Sequence, residues 1–223
     1  MTTSTRFDNE IMHNLIYEDH HGNKIFSTGK QQLHFPINGL QITFGNATNN
    51  VIEICDGSQF NNVRFDLGND RACIKIGQNC QISNTYIRLK YGYMQLVSIG
   101  DNTIIHGADF FLDENSGCVI GDNCLISDSV KFWGSDGHAI IDLQTNQVIN
   151  SVSGPITIGQ HTWIGQAVRI TKNARVARNS IIGMASVVTK AFTEENVILV
   201  GQPAKIVKRD VNWDFRSPFF IDN

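Results

Sequence analysis

The residue best suited to acid–base chemistry in this sequence is His138, which closes the segment Ser135–His138. The imidazole has the unperturbed pKa nearest neutrality, so it can take a proton from an alcohol and return it. Two carboxylates lie close to it in the sequence. Asp136 and Asp142 could orient the imidazole or hold an acceptor hydroxyl, and each could equally close an Asx turn. This segment is the first candidate for a catalytic site.

A second candidate is Trp163, which directly precedes an inward-pointing Ile in the pattern described below. Neighbouring residues of a strand point to opposite faces, so the indole is predicted to point outward. An exposed Trp is costly unless something covers it. It could form the apolar wall of a ligand cleft or a contact between subunits, and a cleft between subunits would satisfy both. His161 also points outward and could line the same cleft.

A six-residue period predicts the elements that position these residues. From Ile158 the chain reads IGQHTW, IGQAVR, ITKNAR, VARNSI, IGMASV and VTKAFT, so an Ile or Val opens every hexad. Six matches neither the period of an α-helix nor that of a simple strand. A chain that turns a corner every sixth residue forms a triangular coil of about 18 residues with one aliphatic side chain inward per face. The fold class predicted is all-β, a parallel β-helix of hexapeptide repeats.

The position two residues before each aliphatic also points inward and must be compact. In the regular hexads it holds Thr162, Val168, Ala174, Ser180 and Ser186. Cys80, Cys118 and Cys124 occupy the same position in earlier hexads and are predicted to be small buried hydrophobes. Because the five cysteines include no CxxC pair, we expect a reduced, cytoplasmic protein.

Similar hexads upstream indicate that the β-helix extends towards the N-terminus. Ile-Gly pairs recur at Ile76, Ile99 and Ile120, at spacings that exceed whole coils, so loops are predicted to leave the corners. We expect an irregular N-terminal segment at 1–35 and a β-helix at 36–202, in which residues 40–75 form the first coils. The longest loop excursion is expected at about 135–155. A short C-terminal extension, 203–223, could cap a coil or pack on a neighbouring subunit.

Charge is unevenly distributed along the chain. The formal net charge is -3, which argues against a nucleic-acid partner. Residues 1–150 carry 9 Lys/Arg against 16 Asp/Glu, whereas residues 151–210 carry 8 against 3. The basic C-terminal coils suit a phosphate-bearing ligand, or they form only a solvated face. No signal peptide, membrane span or zinc-ligand spacing is recognisable, so neither a membrane span nor a metal is expected.

The stretch from Pro155 to Lys190, followed by VGQPAKIVKRDVNW, resembles the hexapeptide-repeat acyltransferases, in particular the O-acetyltransferases of sugars. The segment from Ser135 to Asp142 and the pair Ile149-Asn150 are similar to the branch that acetylates capsular and other surface polysaccharides. The match covers about residues 97–213, roughly half of the chain.

This resemblance implies a left-handed β-helix, assembled as a homotrimer that binds acetyl-CoA between subunits. His138 matches the family's catalytic base, and Trp163 matches the aromatic residue beside the acyl donor. The other positions expected to contact CoA are Gln166, Met184, Thr189, Lys190, Lys205 and Lys208. Gln166 and Met184-Ala185 depart from the Ser and Ala-Gly usual in the family. The reaction implied is acetyl transfer to a hydroxyl of a sugar, in a surface polysaccharide or its precursor, with Asp136, Asp142 and His161 on the acceptor side.

Three other functions remain open at the level of sequence. An N-acetyltransferase of a nucleotide-linked amino sugar and an antibiotic O-acetyltransferase share the fold and the donor. A bare β-helix could also serve as a structural scaffold, although a scaffold requires neither a long loop with a His nor an outward Trp.

Overall fold

The computed structural model describes residues 13–29 and 33–221, which form a three-sided parallel β-helix. In chain order the strands are β1 His13–Glu18, β2 Lys24–Thr28, β3 Leu40–Thr43, β4 Val51–Cys55, β5 Gln59–Leu67, β6 Cys73–Ile76, β7 Gln81–Lys90, β8 Leu96–Ile99, β9 Ile104–Ile105, β10 Ala108–Asp113, β11 Cys118–Ile120, β12 Leu125–Ile126, β13 Val130–Trp133, β14 Ile156–Ile158, β15 Trp163–Ile164, β16 Arg169–Thr171, β17 Arg175–Val176, β18 Ile181–Ile182, β19 Val187–Val188, β20 Ala191–Phe192, β21 Ile198–Gly201 and β22 Ala204–Lys208. A short 3-10 helix, Pro218–Phe220, follows.

Parallel pairing between successive coils builds three faces. Face one contains β2, β4, β6, β8, β11, β14, β17 and β20. Face two contains the first halves of β5 and β7, then β9, β12, β15, β18 and β21. Face three contains β3, the second halves of β5 and β7, then β10, β13, β16 and β19. Each coil therefore passes from face one to face two to face three before it begins the next.

The inward aliphatic positions stack in register, as the hexads predict. On face one the successive partners are Ile54, Ile76, Ile99, Ile120, Ile158, Val176 and Phe192. All of them are buried. Burial of each such side chain contributes about 1.5–3 kcal/mol, so the stacked column forms a continuous core along the axis.

The compact positions are also confirmed. Thr162, Val168, Ala174, Ser180 and Ser186 are fully or almost fully buried. Cys80, Cys118 and Cys124 are buried free thiols, and burial raises the pKa of each of them. They serve as small core side chains.

The N-terminal coils are longer than the C-terminal ones because their strands on face three are longer. Strands β5 and β7 each cross the corner from face two to face three at an Asn with positive φ, Asn62 and Asn84, whose side chains hydrogen-bond at 2.9 Å. The core here includes aromatic rings, with Phe110 and Phe132 stacked 4.3 Å apart. Residues 40–75 thus form coils, as predicted.

Both ends of the β-helix carry an antiparallel strand. β1 pairs with β2 at the N-terminal end, and β22 pairs with β21 at the C-terminal end. The expectation of an irregular segment at 1–35 is therefore wrong for residues 13–28, because alternating side chains such as Ile25 and Ser27 already enter the core of the first coil. Residues 1–12 and 30–32 lie outside the described residues.

Candidate active site

The loop that carries His138 leaves the β-helix at the edge where faces three and one meet. β13 ends at Trp133 and β14 begins at Ile156, so residues 134–155 project between two coils. The middle of this loop is a narrow hairpin. The backbone N–H of Ile149 donates to the carbonyl of Ile140 at 2.9 Å, and the N–H of Asp142 donates to that of Gln147 at 2.9 Å.

Asp142 closes the tip of this hairpin. Its Oδ1 accepts hydrogen bonds from the backbone N–H groups of Thr145 and Gln144 and from the Thr145 hydroxyl, at 2.7–3.0 Å. These bonds, those from Thr145 first, lower the pKa of the Asp142 carboxyl. Within the chain, the carboxylate therefore makes the contacts of an Asx turn, one of the three roles that the sequence left open.

A polar network holds the base of the loop in place. The Asn150 amide donates to the His138 carbonyl at 2.9 Å and to Asp136 Oδ2 at 2.8 Å, and its oxygen accepts the Ile140 N–H at 2.8 Å. Lys172, in the next coil, donates to Asp136 Oδ2 and to the Asn150 carbonyl. The hydrogen bonds from Lys172 and then Asn150 hold the pKa of Asp136 below its usual value.

This network was only partly visible in the sequence. Lys172 was missed, because a Lys within a regular hexad is typical of a solvated surface; its side chain is in fact only 14% exposed. The sequence left open whether Asp136 orients the imidazole, holds an acceptor hydroxyl or closes an Asx turn; within the chain its carboxylate contacts Lys172 and Asn150. Among the described residues, none hydrogen-bonds to the imidazole ring of His138.

His138 lies in an open polar cleft of about 530 Å³. The cleft is lined by Glu114, Asn115, His138, Ala139, Val148, Asn150, Ser151, Val152, Ser153 and Gly154. Glu114 and Asn115 come from the turn after β10, one coil before the loop, and nothing in their local sequence pattern marks them as site residues. The exposed imidazole can accept a proton from a hydroxyl group bound in this cleft. The carboxylate of Glu114 and the amides of Asn115 and Asn150 can hydrogen-bond to the molecule that carries this hydroxyl.

Trp163 lies in a different environment, on face two. The C-terminal extension returns along this face and places Trp213 next to it, with ring centroids 6.1 Å apart. Trp213 is anchored by a 2.8 Å hydrogen bond from its Nε1 to the carbonyl of His161, and Phe215 packs on it at 4.7 Å. A largely apolar cleft of about 770 Å³ runs between the extension, Trp163, Leu125 and Ile181.

His161 does not line this apolar cleft itself, but it supports Trp213, which does. Its ring stacks on Trp213 at 4.6 Å. It occupies a corner with a φ of 52°, where Asn123 of the preceding coil and Asn179 of the following coil take similar values. This backbone region favours Asn, and His is one of the few other residues enriched there. Trp213 belongs to the C-terminal extension, and its contact with His161 was not predictable from local pattern because the two residues are 52 positions apart.

The residues predicted to contact CoA lie at three places. Gln166 and Met184 lie in consecutive coils on the edge between faces two and three, where the Ala185 N–H donates to the Gln166 carbonyl at 2.8 Å. Thr189 and Lys190 follow β19 on the edge that also carries the His138 loop. Lys205 and Lys208 lie on β22 beside the last strand of face two. Within one chain these three groups thus lie on two different edges and on β22.

The two clefts lie on opposite sides of the β-helix. The loop leaves from the edge between faces three and one, which is the edge opposite face two in a three-sided coil. Of the residues that the structure describes, none lines both clefts. His138 and Trp163 of one chain are therefore separated by the core. In residues 13–29 and 33–221, no cluster of His, Cys, Asp or Glu fits a metal ion, and no helix has the length and apolarity needed to span a membrane.

Comparison with known proteins identifies related enzymes, although no family model matches the chain. A polysialic acid O-acetyltransferase of Escherichia coli O1:K1 is 30% identical over 140 residues, which are 63% of this chain and 44% of that protein. Galactoside O-acetyltransferase of Escherichia coli K12 is 35% identical over 132 residues, 56% of this chain and 62% of that protein. The chain thus spans less than two thirds of the length of both curated relatives.

A solved structure matches over more of the chain. The crystal structure of the polySia-specific acetyltransferase NeuO has a TM-score of 0.70 and 28% identity, and the match covers 80% of this chain and 83% of that one. A polysialic acid O-acetyltransferase of Neisseria meningitidis is 28% identical over 74% of this chain and 86% of its own length. The resemblance to hexapeptide-repeat sugar O-acetyltransferases and the left-handed β-helix inferred from it are confirmed.

Proposed function

We propose that this homologue of the hexapeptide-repeat sugar O-acetyltransferases transfers an acetyl group from acetyl-CoA to a hydroxyl of a sugar, in a surface polysaccharide or its precursor. The observation that carries the proposal is the cleft of His138, in which the imidazole is exposed beside polar groups and Asn150 holds the backbone carbonyl of His138. Relatives that act on polysialic acid and on galactosides, and one named for lipopolysaccharide biosynthesis, support a sugar acceptor.

In this mechanism His138 is the general base. Its imidazole removes the proton from the sugar hydroxyl while that oxygen attacks the thioester carbonyl of acetyl-CoA. The tetrahedral intermediate collapses, the C–S bond breaks, and the imidazolium protonates the departing thiolate to give CoA and the O-acetyl sugar. Such general-base catalysis contributes about 10²–10⁴-fold, and holding donor and acceptor together contributes much of the rest.

The reaction requires a second subunit. Since His138 and Trp163 of one chain lie on opposite sides of the core, we place the active site between two subunits of a homotrimer, with His138 of one chain near the partner subunit's Trp163. The hairpin of the loop supports such a contact, because Ile140, Ile141 and Leu143 are exposed by 54%, 52% and 98%. Exposed apolar side chains of this kind mark a contact surface.

The apolar cleft fits the acyl and pantetheine parts of acetyl-CoA. Trp163 supplies an aromatic wall, and Gln166 and Met184 lie along the adjacent edge. Basic residues lie farther along the axis, where they can pair with the phosphates of CoA: Lys190 with Thr189 on one edge, and Lys205 with Lys208 on β22. The five cysteines form no disulfide among the described residues, which suits the cytoplasm, where we place the reaction.

On the acceptor side, the hydroxyl lies in the cleft of His138, near Glu114 and Asn115. Asp136 acts there by fixing the loop through Lys172 and Asn150. Asp142 remains an acceptor-side candidate at the tip of the hairpin. His161, stacked beneath Trp213, borders the donor part of the composite site.

An acetyl-transfer assay tests the proposal. The purified protein is supplied with labelled acetyl-CoA and, in parallel, with neutral and acidic oligosaccharides, nucleotide-linked amino sugars and antibiotic alcohols. We expect base-labile O-acetyl label on a sugar, with release of one free thiol per ester formed. Transfer only to amines would indicate an N-acetyltransferase. A lack of transfer together with no thermal stabilisation by CoA would contradict the proposal and favour a scaffold.

A further inference from the structure

Face three carries a row of aromatic side chains on its outer surface. Tyr86, Phe111 and Trp133 lie on β7, β10 and β13, which belong to three successive coils. Their ring centroids are 6.1 Å apart for Tyr86 and Phe111 and 4.6 Å apart for Phe111 and Trp133. We call these three residues the aromatic ladder. Trp133 remains 40% exposed in the chain, so the ladder offers an apolar surface that a ligand can cover.

Basic side chains lie over the ladder. The guanidinium of Arg88 is 4.8 Å from the centre of the Phe111 ring, and that of Arg64 is 5.6 Å from the centre of the Tyr86 ring. The outer surface of this face from β5 to β16 has more cations than carboxylates: Arg64, Arg88, Lys90, Lys131 and Arg169 against Asp66, Asp109 and Asp113. Four of these cations form ion pairs with those carboxylates at 2.7–3.9 Å, which leaves Arg169 without a carboxylate partner among the described residues and the face with a formal excess of two positive charges. In a chain with a net charge of -3, this excess favours an anionic ligand.

The ladder leads to the candidate catalytic base. Trp133 is the last residue of β13, and the chain continues directly into the loop that carries His138. The start of the loop is tied to the ladder, because the Gly134 N–H donates to the Phe111 carbonyl at 2.9 Å. A ligand that lies along the ladder can therefore extend from the first coils to the cleft of His138.

The middle of face one differs from face three. Ser98, Val119 and Thr157, which point outward there in three consecutive coils, are short and uncharged, although Lys75 and Arg175 occupy the same position in the flanking coils. Short side chains allow another subunit to pack closely on this part of the face. We therefore assign close packing between subunits to the middle of face one and ligand binding to face three.

We propose that face three binds an extended segment of an anionic polysaccharide and that the aromatic ladder guides one of its sugar units into the cleft of His138. This inference rests on the proposed function, and it specifies a polymeric acceptor that carries carboxylates. Aromatic rings stack on the apolar faces of sugar rings, and Arg and Lys bind carboxylates. The coils repeat every 4.8 Å or so along the axis, which suits a ligand with a repeating structure.

The experiment compares Trp133→Ala with Tyr91→Ala, a substitution of an aromatic residue that is 82% exposed outside the ladder. Acetyl transfer is measured on acidic oligosaccharides of increasing length at several salt concentrations. We expect Trp133→Ala to raise the KM for long chains roughly tenfold. The KM for acetyl-CoA and the turnover of a disaccharide acceptor should remain unchanged, and Tyr91→Ala should behave like the unaltered protein. The double variant Arg64→Gln/Arg169→Gln should reduce the salt dependence of binding to long chains.

Direct binding of acidic polysaccharide, measured by calorimetry without acetyl-CoA, separates this proposal from the proposed function. Binding that Trp133→Ala weakens supports the ladder even if no acetyl transfer is found. Equal losses on short and long acceptors would overturn the proposal, as would unchanged binding of long chains. A change in oligomeric state in Trp133→Ala, measured by sedimentation, would instead make face three a subunit interface. Equally tight binding of single-stranded DNA would replace the polysaccharide by a nucleic acid.

Discussion

The clefts of His138 and Trp163 are built in different ways. Directional bonds hold the first, since Asn150 donates to the His138 carbonyl and to Asp136, and Lys172 of the next coil donates to Asp136 and to the Asn150 carbonyl. Aromatic stacking forms the second, in which Trp213 packs on His161 and lies beside Trp163. Hydrogen bonds fix the position of an atom, whereas apolar contact depends mainly on area. We therefore expect changes in the first cleft to alter kcat and changes in the second to alter KM.

The substitution His138→Ala should have the largest effect. Loss of the base should lower kcat by about 10²–10⁴-fold, while the KM for acetyl-CoA should change little. Steady-state kinetics with the best acceptor measure both constants. His106→Ala, a change of an exposed His outside the loop, provides the control. Turnover by His138→Ala equal to that of the control would remove His138 as the base.

The substitution Lys172→Met should have the next largest effect. It removes the cation that holds Asp136 and the Asn150 carbonyl, so the loop can shift, and a displacement of about 1 Å can cost about 10²-fold in kcat. The KM for acetyl-CoA should stay the same. Lys75→Met is the control, since Lys75 pairs with Glu53 on face one at 3.0 Å. Adding Asp136→Asn should cause little further loss, because both changes break one network. Fully additive losses would argue against a shared role.

The substitution Trp163→Ala should change the KM for acetyl-CoA more than it changes kcat, the opposite of the two substitutions above. Loss of the aromatic wall should raise the KM for acetyl-CoA about tenfold, with a smaller change in kcat. Trp133→Ala is the matched control, since it removes a Trp of similar exposure from face three. A kcat loss in Trp163→Ala without a change in KM would show that the two clefts do not divide their roles in this way.

Acid should disorder the loop of the His138 cleft more than it disorders the Trp163 cleft. We expect this effect to be smaller than those of the three substitutions above. The pKa of Asp136 is lower in the folded chain than in the unfolded chain, whose value is about 3.9. Its contribution to loop order is therefore complete above that pH and is lost as the pH falls through the folded-state pKa. Hydrogen exchange at the Ile140 amide, corrected for intrinsic rates, should speed up below about pH 4. Asp136→Asn should abolish this dependence, and a dependence that persists would point to another group.

The regular part of the fold was predictable because one rule governs it. From Ile158 to Val188 every sixth residue enters the core, and the structure confirms each position. The six-residue rule is harder to recognise in the N-terminal coils. There β7 runs for ten residues across a corner, so burial alternates every second residue and the hexad period is lost. The strand β2 was missed for a related reason: only alternating burial marks it, within a segment that has no upstream repeat.

The prediction of the site was limited by contacts between distant residues. His138 and Trp163 could be named because each is an unusual residue for its local pattern. Lys172 could not, since its partner Asp136 is 36 positions away and only the stacking of coils brings them together. Trp213 carried one signal, since it is the single Trp of the C-terminal extension, but its partner His161 is 52 positions away.

The reactivity of the buried cysteines reports local unfolding of this β-helix. The thiolate is the form that reacts with alkylating reagents, and burial raises the pKa to about 11 for Cys80 and about 12 for Cys124. Both should therefore resist labelling while the coils stay stacked. Because neighbouring coils stabilise one another in a linear array, opening can begin at one end and spread. The order in which Cys80 and Cys124 become labelled would show from which end the coils unfold, with no cysteine introduced by mutation.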